Sequence, residues 1–219
     1  MRLLGVRLCA HPSHDPPETA PSMTPSSPPS TLAKSVAAGL MLVSLIALAL
    51  APSLMPESYS WVRQTTSESA AQGVPGAWLA RLGFLLLGLA VTWMAATFEL
   101  GWSFPARVMH GAFGLLMVAT AAFSTRSWLP NTPYDPVEDA LHSFTATAMG
   151  FAFAIGVFLV LLQRRRDPLG RGLDLVSVCA AVAIPIGMST LPNWDGLLQR
   201  AMFAIAYVWY AAELLRKRS

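Results

Sequence analysis

Six ionisable side chains stand at the margins of long apolar segments, where each charge must be compensated or lost. They are Glu68, Asp135, Asp139, His142, Asp195 and Arg200. Asp139 and His142 are three residues apart and share one face of a helix. A carboxylate beside an imidazole raises its pKa and fixes its tautomer, which suits the pair to proton transfer or polar binding. Arg200 lies about one helical turn below Asp195, and its planar fork can grip a carboxylate or phosphate. The sequence therefore predicts that Asp139, His142 and Arg200 converge at one depth, within about 3–6 Å, around a pocket for a small anion or a lipid headgroup. Glu68 is expected to fold over its mouth. The plainer reading makes Asp135 and Asp139 first-turn acids favoured by the helix dipole, with Arg200 and Asp195 as an interfacial ion pair.

Other chemistries find less in the chain. His110 and His142 fall near opposite ends of their apolar segments, so they cannot share one haem iron. Intramembrane zinc hydrolysis needs about three ligands at one locus, and one histidine with several acids is a poor set. No phosphate loop, metalloprotease helix or serine elbow is present. No metal and no cofactor are expected. Glu99, Arg107 and His110 read as a local salt bridge with an interfacial histidine. Arg164, Arg165 and Arg166 read as a topology signal. The glycine pairs Gly111/Gly114 and Gly150/Gly156 read as sites of close helix approach.

These residues need apolar elements to position them, and the composition supplies little else. Of 219 residues 54% are apolar and 12% charged, against about 25% charged in a soluble domain. The apolar residues come in blocks of membrane length, which must be helices because the backbone has no other partner in hydrocarbon. The fold class is all-α, a polytopic bundle of six transmembrane helices. The expected spans are residues 31–54, 77–98, 106–124, 139–163, 173–188 and 197–215, with a kink at Pro185. Pro130-Asn131 and Pro192-Asn193 mark turns. The net charge of +3 is distributed around the blocks, with no basic face for nucleic acid. Cys9 and Cys179 form neither a disulfide framework nor a metal spacing.

With the N-terminus in the cytoplasm, 11 of the 15 Lys and Arg residues lie inside and the other 4, Arg63, Arg81, Arg126 and Arg200, outside. The positive-inside bias thus puts both termini in the cytoplasm and the chain in the cell membrane. Residues 1–30 hold seven prolines among Ser and Thr and read as a disordered tail, with Met23 an alternative start; residues 31–219 form the transmembrane domain.

In several short stretches the chain resembles the domain-of-unknown-function 998 family of six-pass prokaryotic membrane proteins. They are Ser67-Glu68 followed by Gly73, Pro75 and Ala77, then Gly83 and Gly88, then His142 with an acid upstream, then Asp195-Gly196-Leu197-Leu198-Gln199-Arg200. The acid that usually follows the third span directly stands further on here, at Asp135, after Ser127-Trp128-Leu129. The resemblance covers about Thr31 to Arg216 and implies a fold and a location but no established reaction. Its recurring polar positions correspond to Glu68, His142 and Arg200. The expected role is binding or moving a small anionic solute or lipid headgroup through an outward pocket, with membrane lipids as partners. The alternative is a lipid-acting hydrolase using His142 and neighbouring acids.

Overall fold

The computed structural model describes residues 31–97, 100–165 and 167–216. Among the described residues regular structure is entirely helical. The long helices are α1 (Thr31–Leu50), α2 (Ala77–Thr97), α3 (Phe104–Ala122), α4 (Pro136–Gln163), α5 (Pro168–Thr190) and α6 (Asp195–Leu215). Single 3-10 turns occupy Ala51–Leu54, Glu68–Ala70 and Pro192–Trp194. The expected tail, residues 1–30, lies outside the described residues, as do Phe98, Glu99 and Arg166.

The shortest long helix has 19 residues and the longest 28, hence lengths of about 28–42 Å against a hydrocarbon core of about 30 Å. Five of these helices are long and apolar enough to cross a membrane, with hydropathy between 1.2 and 2.2. Such helices make this a multi-pass membrane protein. α6 matches them in length but carries Gln199, Arg200, Tyr207, Trp209, Tyr210 and Glu213, which dilute its hydropathy. Tyr207, Trp209, Tyr210 and Glu213 are all buried, so α6 brings polar groups to the middle of the bundle. The outer faces are apolar, with Phe144, Phe151, Leu175 and Val208 exposed, as a hydrocarbon solvent allows.

The helix starts follow from side chains that satisfy the first orphan N–H groups. Ser103 caps α3, Asp135 caps α4 and Asp167 caps α5, and each cap is followed by a proline within the first turn. These caps explain why α4 begins at Pro136 and α5 at Pro168, ahead of the expected 139 and 173. α5 is helical on both sides of Pro185.

Helices adjacent in sequence are adjacent in space, and α6 returns to pack on α1. The ring is filled by aromatic side chains: Phe84 stacks on Phe203, and Phe113, Phe153, Trp209 and Tyr210 form one cluster. Ser44 of α1 donates to the Gly83 carbonyl of α2 and meets the Tyr207 hydroxyl of α6. Close helix approach falls at Gly88 and Gly114. A Cβ added at Gly114 would meet the Thr92 amide nitrogen at 2.7 Å and the Gly88 carbonyl at 2.8 Å. At Gly156 it would strike the His110 ring. Gly150 corrects the sequence expectation, because an added Cβ there meets nothing within 4 Å. Gly111 meets only Ala95, at an ordinary 3.8 Å.

Candidate functional site

The loops at residues 55–76, 123–135 and 191–194 gather at one end of the bundle, the loop end. The first is stitched to everything around it. Gln72 donates to the carbonyls of Ser124 and Asp135 and accepts from the Asp135 amide. The first N–H groups of α6, at Gly196 and Leu197, donate to the carbonyls of Arg63 and Val62. Trp194 offers α6 no side-chain cap, so the loop backbone takes that role. Gly196 must be glycine because a Cβ would strike the carbonyls of Trp61, Val62 and Gln64.

Of the six residues expected to form the pocket, all but Asp195 have a definite partner. Glu68 forms a capping box with Thr65: its Oε2 accepts from the Thr65 amide at 2.6 Å, and its own amide donates to the Thr65 hydroxyl at 3.1 Å. Asp135 is the α4 cap, accepting from the amides of Val137 and Glu138. Asp139 accepts from the Thr125 hydroxyl at 2.9 Å and the Arg126 amide at 2.8 Å, holding the α3–α4 loop over its own helix. His142 is 4% exposed, and its Nδ1 lies 2.9 Å from the Phe123 carbonyl. A carbonyl can only accept, so in the neutral ring Nδ1 carries the proton.

Arg200 is a latch on the loop. Nη1 donates to the carbonyls of Trp61 at 2.6 Å, Gln64 at 2.9 Å and Gly196 at 2.9 Å, while Nη2 donates to the Tyr59 hydroxyl. Burial pushes the Tyr59 hydroxyl above its ordinary pKa, and the Arg200 charge opposes that shift. None of the hydrogen bonds or ion pairs among the described residues joins Asp139, His142 and Arg200 to one another, and Arg200 makes no ion pair with Asp195.

The loop end does contain a concavity, of about 620 Å³, and it has a different membership. Glu68 and Asp195 line it with Thr125, Arg126, Trp128 and Tyr134. Asp139, His142 and Arg200 are absent from its walls. Asp195 contributes a buried Oδ1 that has no hydrogen-bond partner. Arg126 is exposed, and its guanidinium has no partner among the described residues. Asp135 and Glu138 line a separate, more open hollow with Arg81. Sequence reasoning passed over Arg126, which carried no signal beyond its count among the outside cations.

The opposite end, the turn end, holds a charge network that sequence reasoning missed. Arg164 Nη1 reaches both oxygens of Asp174, at 2.6 and 2.7 Å, and Nη2 reaches Glu213 at 2.7 Å. Asp174 is completely buried and Glu213 is 2% exposed. Indole N–H groups complete both carboxylates, Trp209 on Asp174 at 2.8 Å and Trp102 on Glu213 at 2.9 Å. Arg216 bridges Glu213 to Asp167. A bond from the Gly170 amide, with Arg216 and Arg164 beside it, holds the Asp167 carboxyl below the usual carboxylate range. The available signal was the presence of acids inside two apolar segments. His110, expected beside Arg107 near the interface, is fully buried, packed on Trp102 and Trp209 with its Nδ1 3.0 Å from the Tyr210 hydroxyl.

Among the described residues no group of three His, Cys, Asp or Glu side chains could hold a metal ion. No curated protein and no solved structure matches the chain. Residues 27–216 match the model of the DUF998 family, described as proteins of unknown function, and the chain belongs to that family.

Proposed function

We propose that this is a non-enzymatic protein with six spans in the cytoplasmic membrane of a prokaryote, both termini inside. Its loop-end concavity binds a lipid headgroup or small solute from outside. The observation that carries the reading is Asp195, a carboxylate that lines an open concavity and whose buried Oδ1 has no hydrogen-bond partner. An unsatisfied acceptor of that kind costs free energy until a donor arrives. Arg126 supplies a cation on the same concavity. The anionic ligand inferred from sequence is thereby narrowed to one that also carries a donor-rich positive end, as phosphoethanolamine does. The hydrolase alternative loses its histidine at the cavity, since His142 is buried elsewhere and bonded to Phe123.

Phosphoethanolamine added to the purified protein should raise its melting temperature, because a ligand at 100 times its Kd adds about 2.7 kcal/mol of stability. Asp195→Asn and Arg126→Ala should each remove most of that gain. No shift at any soluble concentration would end the reading. Equal shifts from inorganic phosphate, unaffected by Asp195→Asn, would return it to a simple anion site.

Orientation has its own test. The Lys and Arg bias supports Ser58 and Thr132 outside and Gly172 inside. Gly172 is open to an added side chain, whereas Gly170 is packed against Asp167. With the native cysteines replaced, an impermeant thiol reagent should label Ser58→Cys and Thr132→Cys in intact cells and spare Gly172→Cys. The reverse pattern would invert the topology.

A further inference from the structure

We infer that a recess between α3, α4, α5 and α6 is a binding site for the hydrocarbon chain of a membrane lipid, and that Gly150 sets its width. The recess encloses about 430 Å³, and its walls include Phe113, Met149, Phe153, Pro185, Met202 and Phe203. Among the residues that line it none is charged, and only Thr147 has a polar side chain. Along α4 it runs from Ala146 to Ala154, a rise of about 12 Å. Both limits lie some nine or ten residues from the helix ends, so the recess sits at mid-helix, the depth of bilayer hydrocarbon.

What fills it follows from that depth. Water finds too few polar partners in an apolar void to be held there. An empty void forfeits the dispersion contacts of its lining. The surrounding medium at this level is hydrocarbon, and the recess is open towards it. α5 forms the loose wall: its buried residues are Gly170, Asp174 and Ser177, all on the turn-end side, and none lies near Pro185. Met149 and Met202 are flexible thioethers that adapt to chains of varied shape.

Gly150 supplies the independent observation. A glycine inside a helix costs about 0.5–1 kcal/mol relative to alanine, and close packing usually explains one. Here no atom lies within 4 Å of the missing Cβ, and the residue lines the recess. Its lack of a side chain therefore keeps the recess wide and does nothing for helix approach. The inference does not depend on the headgroup reading, which rests on Asp195 and Arg126.

The full chain would be reconstituted in vesicles of phosphatidylethanolamine and phosphatidylglycerol containing a phosphatidylethanolamine with a photoactivatable group midway along one acyl chain. After irradiation, adducts would be mapped by peptide mass spectrometry. Adducts at Met149, Phe153 and Met202 should exceed those at the outward-facing Leu115 and Val208 by about tenfold. Gly150→Phe should bring the recess down to the level of the controls, and Gly150→Ala should preserve it. Equal labelling of recess and controls in the native chain overturns the inference, and needs no variant to fold.

Discussion

Arg164→Ala is expected to lower the unfolding free energy by about 3–5 kcal/mol, the cost of stranding a buried charge partner. For a domain of this size that is a fall in Tm of roughly 6–20 °C. The side chain is 10% exposed and its two acids 0% and 1%, so neither water nor salt screens the interaction appreciably. Without Arg164, Asp174 keeps only the Trp209 indole, a neutral donor. Glu213 keeps Arg216 at 3.0 Å, so the greater loss falls on Asp174. Arg164→Lys should recover little, because an ammonium cannot serve three oxygens on two helices in the geometry of a planar fork. Arg164→Met combined with Asp174→Asn should be more stable than Arg164→Ala, since no charge is then left without its partner. Thermal melts of purified protein in detergent measure all three variants against the native chain. A loss under about 1 kcal/mol for Arg164→Ala would mean that the network behaves as an exposed pair.

That network shows why part of the molecule was hidden in the sequence. Blocks of apolar residues reveal helices because a bilayer admits little else; α1 and α2 start where expected, whereas the capped α4 and α5 start three and five residues earlier. Averaging over a window does the reverse for single charges. One acid among twenty apolar residues scarcely lowers the mean, and Asp174 and Glu213 disappeared into it. Their partner was hidden by the opposite effect, since Arg164 belongs to a run that already had a sufficient reason in topology. Only the fold brings together residues 10 and 49 positions apart and turns Arg164 inward. At the loop end the error had another source. Equal depth on α4 and α6 does not imply contact, because depth leaves the direction around each helix axis undetermined. The long first loop takes up the groups that seemed free: its carbonyls occupy Arg200, and its Thr65 occupies Glu68. What is legible there is the acidic start of α4, with Asp139 in its first turn; Asp135, expected beside it as a first-turn acid, is instead the cap.

Arg200 and Asp139 therefore separate the pocket inferred from sequence from the latch seen in the structure. Arg200→Ala leaves the Trp61 carbonyl without its side-chain donor, leaves the Gln64 carbonyl only the Tyr59 hydroxyl at 3.5 Å, and removes the guanidinium that donates to that hydroxyl. Charged hydrogen bonds contribute about 1.5–3 kcal/mol each, and water near the surface can replace some of them, so the expected loss is about 2–3 kcal/mol. It should appear locally first, as faster amide exchange over residues 59–70, because those residues lose one of their ties to α6. Asp139→Ala acts on another joint, the Thr125 hydroxyl and the Arg126 amide, and should cost about 1 kcal/mol. With no shared partner, the two losses should add to within about 0.5 kcal/mol in the double variant. Had the two side chains been paired, removing Asp139 would have rescued part of the Arg200→Ala loss. Such a rescue, or unchanged exchange over residues 59–70 in Arg200→Ala, would exclude the latch and restore a direct Asp139–Arg200 contact.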